Sequence, residues 1–139
     1  KVIIMIVQVE LRKIIIDERR QDQIIVLKEK NGERQFPIVI GFLEASSIQM
    51  KLAGLEAPRP MTHDLLISVI EGLGGKMEKL VIDKLVDNTF HAKLEIKMPD
   101  GQVKVIDTRP SDGIALTVRS NAPIFADEEV LKKATFFKT

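Results

Sequence analysis

The chain has 139 residues, a formal net charge of +1 and no cysteine, tryptophan or tyrosine. This length suits one domain with a substantial core, and the lack of cysteine excludes disulfides, thiolate catalysis and cysteine-rich zinc sites. Proteins that bind long duplexes carry a basic surface, and many single-strand binders stack bases on aromatic rings. This chain has a nearly balanced charge and few aromatic residues, so the sequence predicts that any nucleic-acid contact is local.

Alternating apolar residues in the first third of the chain predict three β-strands, at residues 2–11 with a continuation to 14–16, at 24–28 and at 35–40. The Asn31-Gly32 pair predicts a hairpin, because both residues tolerate a positive φ. The apolar spacing then becomes helical from just after Gly41 to near Gly54. The longest apolar run, residues 2–7, is too short to cross a membrane and lacks a signal-peptide cleavage site. We therefore expect a cytoplasmic protein with no membrane partner.

The rest of the chain predicts three further helices and three further strands. Two prolines exclude a helix from residues 56–60, and a helix is predicted from Thr62 to about Leu73, ended by Gly74-Gly75. Strands separated by turns are predicted at residues 79–85, 90–98 and 103–107. A helix follows at 111–119, then a short apolar segment at 122–126 and a last helix from 127. Residues from Thr135 onward predict no element.

The order of these elements predicts an α+β fold in a single domain, residues 1–139. A β-β-β-α unit occurs twice, at roughly residues 1–55 and 76–120, with an additional central helix between the copies. We expect the helices to pack on a mixed or antiparallel sheet. Loops at corresponding corners of such a duplicated sheet would lie near each other.

Two predicted helix starts have similar sequences: Arg59-Pro60-Met61-Thr62-His63-Asp64 and Arg109-Pro110-Ser111-Asp112. Each has an arginine before a proline, a hydroxyl residue that we predict as the N-cap, and a carboxylate in the first turn. Helix N-termini carry free N–H groups and a partial positive charge, so an adjacent arginine favours phosphate or carboxylate binding.

Four segments resemble, in order, the bifunctional nuclease domain family, in its bacterial form. They are residues 38–45 (Ile-Val-Ile-Gly-Phe-Leu-Glu-Ala), 59–66 (Arg-Pro-Met-Thr-His-Asp-Leu-Leu), 87–90 (Asp-Asn-Thr-Phe) and 107–116 (Asp-Thr-Arg-Pro-Ser-Asp-Gly-Ile-Ala-Leu). The chain departs from the family at Gly113, where alanine is usual, and at His91, where an aromatic residue is common. The resemblance implies a compact α+β homodimer and an activity named after plant relatives described as cutting both DNA and RNA.

Phosphodiester cleavage needs neutralised phosphoryl oxygens, an activated water and a stabilised leaving oxygen. For this chemistry we predict catalytic His63, Asp64 and Asp112, substrate-binding Arg59, Arg109, Thr62 and Ser111, and a divalent cation, Mg²⁺ or Mn²⁺, on Glu44, Asp64 and Asp112. Asp107 is a further carboxylate that can equally just end a strand. The prediction is a metal-dependent nuclease of low sequence preference that binds short or single-stranded DNA and RNA weakly.

A structural interpretation is open for the same residues. Thr62 and Ser111 can act only as helix caps, worth roughly 0.5–2 kcal/mol. Arg59 and Arg109 can pair with Asp112 and Asp64 across the two halves and fasten them together. His91 is interpreted as a surface or pairing residue of a strand. These alternatives favour a second function, a non-catalytic homodimeric module that recognises a small anion or a protein partner.

Overall fold

The computed structural model describes residues 5–134 and contains a mixed sheet of seven strands with four helices. The elements are β1 (Ile6–Ile15), β2 (Asp22–Glu29), β3 (Gln35–Gly41), α1 (Phe42–Leu52), α2 (Thr62–Gly72), β4 (Lys76–Val86), β5 (Thr89–Lys97), β6 (Val103–Thr108), α3 (Pro110–Ser120), β7 (Ile124–Asp127) and α4 (Glu128–Ala134). The predicted α+β class is confirmed. The predicted strand residues 2–4 and the tail from Thr135 lie outside the described residues.

The strand order is β3-β2-β1-β7-β4-β5-β6, which places β7 between two antiparallel three-stranded segments. β7 runs antiparallel to β1, with Val7 opposite Ala126, and parallel to β4, with Val81 opposite Phe125. The sequence predicted β7 only as a short apolar segment. In the structure, β7 joins the two three-stranded segments into one sheet.

Both predicted hairpins form, β2 with β3 and β4 with β5, but their turns differ. β2 pairs with β3 through a loop at residues 30–34 in which neither Asn31 nor Gly32 adopts a positive φ. The tight two-residue turn lies instead between β4 and β5, where Asp87 and Asn88 have φ of 51° and 61°. A positive φ at both central residues matches the twist of the flanking strands, so this turn holds the β4–β5 register.

The two halves share one hydrophobic core. Phe36 of β3 and Phe90 of β5 belong to the first and sixth strands of the sheet order, yet their rings stack with centroids 5.7 Å apart. The sheet is therefore curled. Helix α3 contacts α1, α2, β4 and β5, and it buries Ile114 and Ala115 completely.

Gly113 is explained by the packing of α3 on β4. A Cβ atom at this position would lie 2.5 Å from Cδ1 of Leu80, which is fully buried. Gly113, one of the two departures from the pattern of the resemblance, therefore leaves room for a leucine in the sheet beneath it. The other departure, His91, lies on β5 opposite Lys84, as expected for a pairing residue of a strand.

The predicted N-caps are wrong in register. The N-cap residues are Met61 for α2 and Arg109 for α3, so that Thr62 lies inside the helix, and neither helix has a side-chain cap of the expected hydroxyl type. Pro110 begins α3, where its missing N–H is no loss, and Ser111 follows it. In α2 a carboxylate does the capping, because Asp64 accepts a hydrogen bond of 3.0 Å from the Met61 N–H.

Helix α2 is placed on the outside of the molecule. Its one buried residue is His63, whereas five apolar side chains at or beside it are exposed to solvent, namely Met61, Leu65, Leu66, Val69 and Leu73. Within residues 5–134 the helices are too short or too polar to cross a bilayer.

A candidate active site where two helix starts meet

The starts of α2 and α3 meet through a histidine and a carboxylate. His63 Nε2 lies 3.0 Å from Asp112 Oδ1, and the two side chains are 10% and 28% exposed. The expected proximity of the two similar segments is therefore found. The contact is made by the first-turn residues, however, and not by the arginines that precede them.

A serine of α1 occupies the other ring nitrogen. Ser47 Oγ lies 2.7 Å from His63 Nδ1, and Arg119 Nη2 donates to the same Oγ at 3.0 Å. Because a carboxylate only accepts and a guanidinium only donates, we assign neutral His63 the tautomer with its proton on Nε2. In that tautomer Nε2–H donates to Asp112, and Nδ1 accepts from the Ser47 hydroxyl.

Asp64 is held by Arg119 and not by Arg109. Arg119 Nε donates to Asp64 Oδ1 at 2.8 Å, and its Nη1 donates to the Ala115 carbonyl at 2.8 Å. The Arg119 guanidinium, and then the Met61 N–H, hold the pKa of Asp64 below its ordinary value of 3.8. The Arg119 side chain is only 8% exposed, so it is a structural link between α3, α2 and α1.

Arg109 pairs within its own helix start. Its Nε and Nη2 donate to Asp112 Oδ2 at 2.9 and 2.8 Å, and Nη2 lies 3.6 Å from Glu44 Oε2. These carboxylates, Asp112 first, raise the pKa of Arg109. The predicted cross-pairs of Arg59 with Asp112 and of Arg109 with Asp64 are wrong, because Arg109 reaches Asp112 three residues along and Arg119 takes Asp64. Arg59 is exposed and makes no ion pair with any residue in the described range.

Most of these side chains form the polar end of a cleft of about 870 Å³ between the helices and strands β5 and β6. The polar end includes Glu44, Ser47, Thr62, His63, Asp107, Arg109, Asp112 and Arg119. The remaining walls are mostly apolar and include Leu43, Met50, Met61, Leu66, Val69, Ile70, Leu73, Leu94, Ile96, Met98 and Ile106. Three predicted site residues are not among the described residues that line the cleft: Arg59, Asp64 and Ser111.

Two of the predicted residues have a plain structural setting. Ser111 is buried in the first turn of α3, with 6% of its surface exposed. Asp107 accepts a hydrogen bond of 3.2 Å from Lys93 Nζ across the β5–β6 pair, and it raises the pKa of that lysine. Asp107 therefore has a partner of its own at the edge of the cleft.

The predicted metal ligands are not assembled into a cation site. Within residues 5–134 no group of three or more His, Asp or Glu side chains is placed to hold an ion. Asp64 faces Arg119, and Asp112 faces Arg109 and His63, so cationic or N–H groups occupy the oxygens that Mg²⁺ or Mn²⁺ would need. Glu44, Asp64 and Asp112 as they stand do not fit a resident divalent ion.

Sequence reasoning missed Ser47 and Arg119. Ser47 lies one turn after Glu44 on α1 and so shares its face, and Arg119 lies two turns after Asp112 on α3. Helical spacing was therefore the available signal. A basic residue in the last turn of a helix usually interacts favourably with the helix dipole at the surface. Its position therefore gave no reason to expect that Arg119 is buried and connects α3 to α1 and α2.

A family model described as the bifunctional nuclease domain matches residues 25–139, which contain every residue of this polar network. The chain belongs to the bifunctional nuclease domain family. The bifunctional nuclease domain extends over nearly all of the described structure, from β2 to α4. The family membership and the resemblance predicted from the four segments therefore agree.

Relatives of this bifunctional nuclease domain include bacterial and plant proteins. Uncharacterized proteins from two strains of Mycobacterium tuberculosis are 38% identical to it over 119 residues, 86% of this chain and 70% of theirs. Bifunctional nuclease 2 of Oryza sativa subsp. japonica is 24% identical over 106 residues, 75% of this chain and 33% of the rice protein. The rice relative is named as a nuclease, whereas the two mycobacterial relatives, to which the chain is more similar, are uncharacterized.

Proposed function

We propose that this domain hydrolyses phosphodiester bonds of DNA and RNA with low sequence preference. The observation that carries the proposal is the hydrogen bond of 3.0 Å between His63 and Asp112 at the polar end of the cleft. Asp112 fixes the tautomer in which His63 Nδ1 carries no proton and can accept one, the requirement for a general base. Family membership supplies the class of bond that is cleaved.

Arg109 is the residue that we assign to the substrate phosphate. Its side chain is 65% exposed at the polar end of the cleft, so its remaining N–H donors are available to non-bridging oxygens. Thr62, exposed at the start of α2 and lining the same cleft, adds a hydroxyl donor beside the N–H groups of that helix. Arg119 is too deeply buried for this task and positions the site instead.

The preferred substrate in this proposal is a short or single-stranded nucleic acid, bound weakly. The net charge of +1 leaves no excess of cations for a long duplex. Around the site the charges of Arg109 and Arg119 are opposed by those of Glu44, Asp64 and Asp112. Contacts to one or two phosphates are what such a site can offer.

The nuclease assay uses labelled single-stranded DNA and RNA with highly purified wild-type protein and His63→Ala and Asp112→Asn variants. We expect cleavage by the wild type and a loss of at least about 100-fold in each variant, the usual contribution of a general base. His91→Ala is the matched control, because this second histidine lies on β5 away from the cleft. Equal cleavage by wild type and His63→Ala would show a contaminant. Assays with Mg²⁺, with Mn²⁺ and with chelator test whether cleavage depends on the predicted divalent cation. The proposed mechanism gives this cation no step.

We also propose that the domain is a homodimer through α2. The exposed apolar side chains of this helix continue into the apolar walls of the cleft, and a second copy offers the matching apolar surface. In this arrangement the partner covers the apolar stretch and leaves Arg109 at the open polar end. Sedimentation equilibrium gives the mass, and a monomer at all concentrations would contradict the proposal.

A second candidate function is a non-catalytic module for a small anion. It is favoured by the pairing of every arginine at the polar end with a carboxylate, which is also what a purely structural network requires. Inorganic phosphate and pyrophosphate would then raise the melting temperature of wild type and of His63→Ala equally, without cleavage of DNA or RNA. Cleavage that depends on His63 excludes this alternative.

A further inference from the structure

Ser47 presents the nearest nucleophilic atom to the candidate base. Its Oγ lies 2.7 Å from His63 Nδ1, and its residue is half-buried in the wall of the cleft. A nucleophile within hydrogen-bond reach of a base that a third group orients is the arrangement that activates a serine hydroxyl. Asp112 is that third group, through its contact with His63 Nε2.

The directions of the hydrogen bonds agree with this role. Arg119 can only donate to Ser47 Oγ, so the hydroxyl proton of Ser47 is left to point at His63 Nδ1. Asp112 contacts Nε2, so Nδ1 is the ring nitrogen that can act as the base, and the Ser47 hydroxyl is its hydrogen-bond partner. A water molecule would have to displace Ser47 to reach the base.

Arg119 provides the electrostatic support that a serine nucleophile needs. Its guanidinium lies 3.0 Å from Ser47 Oγ, is 8% exposed and is fixed by Asp64 and by the Ala115 carbonyl. A cation held rigidly beside an oxygen stabilises the negative charge that develops there without reorganisation. In this scheme Arg119 acts directly on the reacting oxygen, in addition to linking the three helices.

We propose that Ser47 is the nucleophile of phosphodiester cleavage and that the reaction passes through a phosphoseryl intermediate. This inference rests on the proposed nuclease function and names the residue that attacks. The Ser47 Oγ–phosphorus bond forms, the bond from phosphorus to the leaving oxygen breaks, and the hydroxyl proton passes through His63 Nδ1 to that oxygen. Water then attacks phosphorus and gives a proton to Nδ1. The Oγ–phosphorus bond breaks and Oγ recovers the proton, so the net reaction consumes one water.

A fluorophosphonate probe tests the nucleophile without any nucleic acid. It forms a stable bond with an activated serine, and the tryptic peptide of residues 35–51 contains only two hydroxyl residues, Ser46 and Ser47. We expect one adduct per chain on Ser47 by peptide mass spectrometry. The rate should fall by at least about 100-fold in His63→Ala, because the base is lost.

Ser46→Ala is the matched control for Ser47→Ala. Ser46 is the preceding residue of α1 and also lines the cleft, but it is not a partner of either His63 nitrogen. Labelling and cleavage should persist in Ser46→Ala and disappear in Ser47→Ala. Absence of an adduct on wild-type Ser47, or an equal rate in His63→Ala, would overturn the proposal whether or not Ser47→Ala folds.

The two assays separate this inference from the proposed function. Cleavage of DNA or RNA that Ser47→Ala retains would overturn Ser47 as nucleophile and leave the nuclease standing. An adduct on Ser47 in a protein that cleaves neither nucleic acid would support the activated serine and overturn phosphodiesters as its substrate.

Discussion

His63 and Asp112 are separated by 49 positions in the sequence and joined by a hydrogen bond of 3.0 Å. The same bond belongs to a continuous polar network that crosses three helices, α1, α2 and α3. In the order of their contacts its side chains are Glu44, Arg109, Asp112, His63, Ser47, Arg119 and Asp64. Two of its members, His63 and Asp64, lie on α2, and His63 is the one buried residue of that helix.

Replacement of Arg119 by methionine should lower the free energy of unfolding by about 2–4 kcal/mol, since it removes a buried link to α1 and α2 and leaves acceptors unpaired. Urea denaturation followed by circular dichroism measures this. Arg109→Met is the comparison, because its side chain is 65% exposed against 8% for Arg119. That variant should lose less than about 1 kcal/mol. Equal losses would contradict the assigned difference between a structural and a substrate-binding arginine.

Arg34 should give the domain much of its acid sensitivity. It donates to Glu29 Oε1 at 2.8 Å and to Glu128 Oε2 at 2.7 Å, and it is the largest cause of the lowered pKa of both carboxyls. A lowered pKa stabilises the fold above the unfolded value of 4.5, and that contribution is lost as the pH falls through the folded pKa.

Arg34→Met should therefore cost about 1.5–3 kcal/mol at neutral pH, the usual range for hydrogen bonds to charged groups. It should also flatten the dependence of stability on pH between about pH 5 and pH 3. Thermal melts across this range test both effects. Arg19→Met, which removes only an exposed pair with Asp17, should melt like the wild type at each pH. A variant at Arg34 with an unchanged acid slope would be inconsistent with this assignment.

Gly113→Ala should destabilise the domain by about 1–2 kcal/mol, because overpacking against Leu80 exceeds the gain in helix propensity of up to about 1 kcal/mol. The Leu80→Val background removes the two Cδ atoms, at 2.5 and 2.9 Å, that a new Cβ would meet most closely. In that background Gly113→Ala should be neutral or stabilising. Denaturant melts of the four proteins give the coupling, and a stabilising Gly113→Ala in the wild-type background would refute the packing argument.

Val69→Glu should convert the proposed homodimer to a monomer without unfolding it, because Val69 is 47% exposed on α2. Ser68→Glu introduces the same charge at the neighbouring exposed position and should leave the mass unchanged. Sedimentation velocity of both variants measures the effect. Dissociation by both, or by neither, would place the dimer surface elsewhere.

The elements of the fold were predictable because their signals are local. Residue periodicity and turn residues identified α2 and the strands of both hairpins to within a few residues. The strand order was not predictable, since it depends on β7, four residues whose partners Val7 and Val81 are far away in sequence. Nothing in a short apolar segment specifies which sheet edges it joins.

The candidate site was predicted in part for a similar reason. The first-turn residues His63 and Asp112 were identified from two similarly written helix starts, and they do meet. The arginine pairing was wrong because Asp64 is reached from the far end of α3 by Arg119, and side-chain reach across packed helices leaves no pattern in one sequence. Ser47 was missed because its partner becomes its neighbour only when α1 and α2 pack on α3.

The position of β7 also affects how the chain is made. Among the described strands it alone pairs with both three-stranded segments, and it consists of Ile124–Asp127, near the end of the described chain. Until a ribosome has released those residues, the edges of β1 and β4 have no strand between them, and open strand edges are sites of aggregation. Chaperone demand during synthesis should thus be greatest just before residues Ile124–Asp127 emerge from the ribosome.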